Sequence, residues 1–234
     1  MTAAADAGGA PPSAVDGDGP SEATLELAAL QDDVRLLGRL VADALERAMD
    51  GLVHRNGDRL RAVIEADRDI NERQRSERER CLVFIATHHP VHRELNGVVA
   101  LMLMGSELER MGDHAMSCAR LALPLIELSD RPHLEDISRL GRYVAEQVRD
   151  ILAAFTDADT SRAQDIAARD DRIDRIYHRL FEDLMELMRE QPDAVYAATN
   201  LLFIGHNLER IGDRVTNIAE DLVFLDSGRI VELG

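Results

Sequence analysis

Apolar side chains recur every three or four residues along most of this chain, the spacing of a single buried helix face. Leu30, Val34, Leu37, Val41, Leu45, Met49 and Leu52 predict a first helix over 22–52. The Asn56-Gly57 turn signal ends it, and a second helix over 58–87 runs through Leu60, Val63, Ile64, Ile70 and then 82–85, with a mostly charged middle over 71–80. Pro90 opens a third helix carrying Val98, Leu101, Met102, Leu108, Met111, Leu121 and Leu125, with Pro124 set to end or kink it.

After the Arg131-Pro132 boundary the same order returns: a helix over 134–155, a turn over 156–160, a helix over 161–190, and a last helix opened by Pro192 that ends near Leu225. The expected fold is all-α, two tandem three-helix bundles related by internal duplication, six helices in all. The first repeat spans 22–130 and the second 131–225. Residues 1–21, rich in Ala, Gly, Pro and Asp, read as a disordered N-terminal tail, and 226–234 as a C-terminal tail.

Composition agrees with helix-on-helix packing: aromatic residues make up 3% of the chain and Trp is absent. The net charge is −17, and all 27 basic residues are Arg. That balance argues against nucleic-acid binding and against a basic anchor on anionic lipid. Cys81 and Cys118 form no Cys-x-x-Cys pair, so neither a thiolate zinc site nor a disulfide framework is indicated, and both fit reduced helix residues of a cytoplasmic protein. The longest apolar run, 98–104, is far short of the roughly 20 residues that span a bilayer, so no direct membrane insertion is expected.

One phrase occurs twice, Leu-Glu-Arg-Met-Gly-Asp at 108–113 and Leu-Glu-Arg-Ile-Gly-Asp at 208–213, 100 residues apart. On a helix, Glu and Asp at i and i+4 share a face, so Glu109 converges with Asp113 and Glu209 with Asp213. Like charges at that spacing and a mid-helix Gly each cost stability, by a few tenths and about 1 kcal/mol respectively. Their recurrence in register points to a bound cation and a close helix neighbour. For a single copy, a solvated face neutralised by the intervening Arg would be the simpler reading.

Each second helix carries its own polar pair, Asp67 with Asn71 and Asp170 with Asp174. Short turns make the second and third helices of each repeat antiparallel, and counting outward from those turns at about 1.5 Å per residue sets Asp67 level with Glu109 and Asp170 with Glu209. Spacing alone therefore assembles oxygen ligands on facing helices twice, suited to Mg, Mn, Fe or Zn without choosing among them. No Glu is followed by His at i+3, which disfavours a di-iron redox centre. His88, His89 and His92 read as a polar surface turn. His206, three residues before Glu209, has Ser106 as its counterpart, so the duplication lends it no support. No nucleophile arrangement and no phosphate-cradling loop is present, and the chain does not read as an enzyme.

At these residues the chain resembles the PhoU family, over about 25–225. The phrases LERMGDHAMSCAR (108–120) and LERIGDRVTNIAEDLVF (208–224) carry the resemblance. It implies two three-helix bundles with metal ions held at Glu109, Asp113, Glu209 and Asp213, and an acid in the second helix at Asp67 and Asp170, with Asn71 and Asp174 as weaker ligands. Where the family continues with Asn, the second motif has Asn217 but the first has Ser117, which implies weaker binding in the first repeat. The resemblance also implies a cytoplasmic, non-catalytic adaptor, peripheral to the membrane through its partners. It would couple a phosphate-specific ABC transporter, through its ATPase subunit, to a sensor histidine kinase and repress the phosphate-starvation response. The arginines Arg73, Arg75, Arg78 and Arg80 offer one docking face, and a solvated stripe is the simpler alternative. A homodimer is expected for an apolar-rich bundle. A carboxylate-bridged metal protein with storage or redox activity, and a helical interaction protein that binds no metal, remain open beside the regulatory reading.

Overall fold

The computed structural model describes residues 21–233, so the expectation of a disordered tail lies outside the described residues except at Ser21. Ser21 begins the ordered fold: its Oγ accepts from the Thr24 N–H and caps α1 (Glu22–Val53). Asn56 caps α2 (Gly57–His88) in the same way, so the residue expected as a turn signal also starts the next helix. Then follow α3 (Arg93–Leu125), α4 (Leu134–Asp157), α5 (Thr160–Ala167), α6 (Asp170–Glu190) and α7 (Val195–Ser227), the last preceded by a 3-10 turn over Pro192–Ala194. Among the described residues no strand occurs.

The six-helix plan holds, with the helix expected over 161–190 broken into α5 and α6. At the break the Arg169 N–H bonds to Ile166 O and the Arg172 N–H to Arg169 O, i→i+3 contacts that tighten the chain before it restarts. Asp150 on α4 holds both sides of the break, accepting from Arg162 and from Arg169. Asp170 thereby becomes the first residue of α6. Pro124 lies inside the last turn of α3, which continues through it to Leu125.

The antiparallel register within each repeat shows at the glycines of the third helix. Gly112 faces Ile70 and Gly105 faces Glu77, while Gly212 faces Asp170 and Ile173 and Gly205 faces Tyr177 and Leu180. The two halves share one apolar core rather than burying separate ones. Its centre is the long antiparallel pair α3 and α7, the most extensively packed helices of the molecule, and α1 packs against α4 beside it. Residue 107 meets 214 and 217, and 114 meets 207, which relates the repeats by an approximate twofold axis between α3 and α7.

Candidate metal centre

In the second repeat, Asp170 and Asp174 project from the first turns of α6 toward Asp213 at the middle of α7. One carboxylate oxygen from each lies within 4.8 Å of the others. The close approach depends on Gly212, because a Cβ there would stand 3.1 Å from Asp170 Oδ1 and 3.1 Å from Ile173 Cδ1. Burial, and then the charges of Asp174, Asp213 and Glu209, push the Asp170 carboxyl up to about 6. Burial and Asp213 raise Glu209, and burial raises Asp213 against the opposing pull of Arg210 and Arg214. Arg210 pairs with Asp213 at 2.8 Å, and His206 Nδ1 lies 3.6 Å from Glu209 Oε2. Three carboxylates thus converge with Glu209 one turn before Asp213, and the buried oxygens Asp170 Oδ1 and Glu209 Oε2 have no hydrogen-bond partner among the described residues.

The first repeat places Asp67 and Asn71 on α2 beside Glu109 and Asp113 on α3. Here one acid is already an amide, and Asn71 Nδ2 donates to Asp67 Oδ2 at 3.2 Å. Burial and then Asp113 raise the Asp67 pKa, while Arg120 and Asn71 pull it back, and burial and Asp113 raise Glu109. Asp67 Oδ1 and Asn71 Oδ1 are buried without partners. Gly112 performs the same close approach, with Ile70 Cγ2 3.0 Å from its would-be Cβ. The first cluster has Asn71 where the second has Asp174 and therefore one carboxylate fewer, while each cluster has arginines nearby, Arg110 and Arg120 in the first and Arg210 and Arg214 in the second.

The second-repeat set Asp170, Asp174 and Asp213 could hold a hard or borderline cation; among the described residues no first-repeat trio of acids comes equally close. It is oxygen-rich, partly desolvated and contributed by two helices, and Asp170 Oδ1 is left without a protein donor. Asn217 is engaged elsewhere: its Nδ2 donates to Glu107 Oε2 at 3.0 Å across the α3/α7 seam. His88 binds Glu26, while His89 and His92 adopt left-handed backbone in the turn before α3. Sequence reasoning passed over two features. Glu77, inside the charged stretch of α2, is buried, with Cys81 Sγ donating to its Oε1 at 3.1 Å. The seam residues Glu107, His114, Asn207 and Arg214 were legible only as equal positions of the two repeats.

The PhoU domain family model matches residues 34–122 and 137–222, one segment per repeat, each containing one acidic motif. The phosphate-specific transport system accessory protein PhoU of Escherichia coli K12 is 30% identical over 204 residues, covering 87% of this chain and 85% of that protein. The crystal structure of the phosphate transport system regulatory protein PhoU from Streptococcus pneumoniae superposes with a TM-score of 0.84 at 32% identity, covering 91% of this chain and 100% of the other. PhoU from Pseudomonas aeruginosa superposes with a TM-score of 0.85 at 30% identity, covering 88% and 99%.

Proposed function

This chain belongs to the PhoU family, and on that premise we propose that it regulates phosphate homeostasis as an accessory protein of a phosphate-specific transport system. In this reading it works in the cytoplasm, contacts the ATPase subunit of a phosphate ABC transporter and a sensor histidine kinase, and represses the phosphate-starvation response when phosphate is plentiful. The observation that carries it is the match of nearly the whole described chain to transport accessory proteins, with both repeats included. The relatives are described as accessory and regulatory proteins, and the reading makes this chain a regulator rather than a catalyst. Among the described residues no helix is long and apolar enough to cross a membrane, in keeping with a peripheral role through partners.

The metal reading extends the same proposal. Asp170, Asp174, Glu209 and Asp213 would hold a cation in the second repeat, and Asp67, Asn71, Glu109 and Asp113 a weaker one in the first. When bound, the ion supplies positive charge to groups that burial otherwise drives to take up protons. The facing carboxylates repel one another without an ion, and a bound cation would draw α6 to α7 and α2 to α3 and so cross-link each hairpin. The exposed Leu103 on α3 and Phe203 on α7, equivalent positions of the repeats, support association with a partner or a second copy.

The direct test is deletion of the gene followed by a phosphate-starvation reporter in phosphate-rich medium. Derepression reversed by the intact gene is the expected result. Continued silence in a strain lacking any second copy would sink the regulatory reading, whatever the metal content of the purified chain.

A further inference from the structure

On the outer side of the second repeat, α4 and α6 border a groove of about 260 Å³ that the acidic site does not use. Arg139 from α4 and Arg172, Arg175 and Arg179 from α6 line it, above a floor made by Ile176 and Leu180. In a chain of net charge −17 this concentration of guanidinium groups is a local reversal of sign. The arginines are also held in place. Arg172 lies over the Tyr143 ring at 4.0 Å from its centroid, Arg175 donates its Nε to Asp171 O at 2.9 Å, and Arg139 donates to Asp136 at 2.7 Å.

Those anchors leave most of the donors free. Among the described residues Arg172, Arg175 and Arg179 form no ion pair within 4.0 Å, although Asp171, Asp174 and Glu182 share a neighbouring opening with Arg175 and Arg179. Of the two acids at the rim, Asp136 is already shared between Arg139 and His133, which leaves Asp183 as the single opposing charge in the groove. The three α6 arginines recur at i, i+3 and i+7, so they form one row about 10 Å long. A row of that length exceeds one phosphate group and suits several in series, and the planar guanidinium fork matches phosphoryl oxygens two at a time.

We propose that the α4/α6 groove binds an anion carrying a chain of phosphoryl groups, through Arg139, Arg172, Arg175 and Arg179. The phosphoryl chain lies along α6, with Ile176 and Leu180 beside the guanidinium donors. Arg175 and Arg179 also border Asp174 of the second acidic cluster, but none of that cluster's carboxylates lines the groove, and phosphoryl recognition by the arginines needs no cation. Its chemistry is shared by inorganic oligophosphates and nucleoside triphosphates.

The test is calorimetric titration of the full chain at low ionic strength with excess EDTA, using tripolyphosphate and ATP as probes. EDTA removes any bridging metal, so the outcome is independent of the acidic clusters. Saturable binding is expected, weakened about tenfold or more in Arg172→Ala/Arg179→Ala, and changed less than about twofold in Arg47→Ala, which removes one exposed charge from α1. Thermal melts of the three proteins verify the fold. Equal binding of both probes assigns recognition to the phosphoryl chain, and tighter ATP binding adds the nucleoside; either supports the site. Absence of binding by both probes, as would follow if the groove received an acidic protein segment instead, overturns it, as does a double variant that binds like the wild type.

Discussion

Arg214 on α7 reaches Glu107 on α3, its Nη1 3.2 Å from Oε2, and the positions 100 residues away pair in the mirror sense: His114 Nδ1–H donates to Asn207 Oδ1 at 2.9 Å. Asn207 spends its Nδ2 on Phe203 O, so its Oδ1 faces the imidazole and His114 carries the proton on Nδ1. Burial lowers the His114 pKa, which keeps this half of the seam neutral. One contact of the ancestral repeat has become an ion pair on one side of the twofold axis and a neutral hydrogen bond on the other.

Because both partners of the ion pair are largely buried, 13% and 14% exposed at the side chain, Glu107→Ala removes the directly paired carboxylate from Arg214 and leaves the more distant Asp213 as its opposing charge. The expected loss is about 2 kcal/mol of stability, against about 1 kcal/mol for Asn207→Ala, read by urea denaturation. Equal losses would show that charge contributes nothing to this seam.

The proposed cation sites differ in strength. Asp213→Ala should weaken metal binding by more than the roughly 10- to 100-fold that removal of an outer ligand partner costs, whereas His206→Ala should leave it nearly unchanged. Asn71→Asp gives the first repeat the donor present at Asp174 and should raise its affinity. Elemental analysis after dialysis, with competition titrations, measures all three.

Gly212→Ala places a methyl against Asp170 Oδ1, and Gly112→Ala places one against Ile70. The first is expected to lower metal affinity and, because the same methyl meets Ile173 Cδ1 at 3.1 Å, to cost stability without metal as well. The second is expected to cost stability, about 1–2 kcal/mol, because Ile70 is packed in the core. Thermal melts with and without added metal separate the two effects.

Glu77 faces Gly105 as Leu180 faces Gly205, so a carboxyl occupies a place that is apolar in the other repeat. Burial raises it to about 7 from the ordinary 4.5, with Asp33 adding to the shift while Cys81, Arg80 and Arg78 oppose it. The folded state keeps a proton that the unfolded chain releases, so stability falls as pH rises from about 4.5 to about 7 and then levels off, by about 2–3 kcal/mol in total. Glu77→Gln should remove that component of the slope, and Glu77→Leu should make the protein more stable than wild type above pH 7. Urea midpoints across the range provide the check.

Metal coupling has its own pH signature. Asp170, raised to about 6, likewise destabilises the metal-free fold as pH rises from about 3.8 to about 6. Added metal should flatten that part of the profile in the wild type and leave it in place in Asp213→Ala.

The helices, their antiparallel order and the paired acids were readable in the sequence because each depends on local periodicity: three-to-four spacing sets a buried face, and i, i+4 spacing aligns Glu109 with Asp113 and Glu209 with Asp213. Even the glycines announced a close neighbour. The break at residues 168–169 was not readable, since no Pro or Gly marks it; the tertiary contact found there is Asp150, on another helix, accepting from Arg162 and Arg169.

Which groups share an environment was decided only by tertiary packing. Asn217 lies one turn beyond Asp213 on the same helix, yet the approach of α3 gives its amide to Glu107. Glu77 sits in a run of charges that reads as solvated, yet the Gly105 backbone and α1 close over it. Local spacing determines which side chains lie on a common face of one helix. The packing of the repeats about their twofold axis determines what that face meets, and therefore which charges are screened by water, which are paired, and which are left for a cation to satisfy.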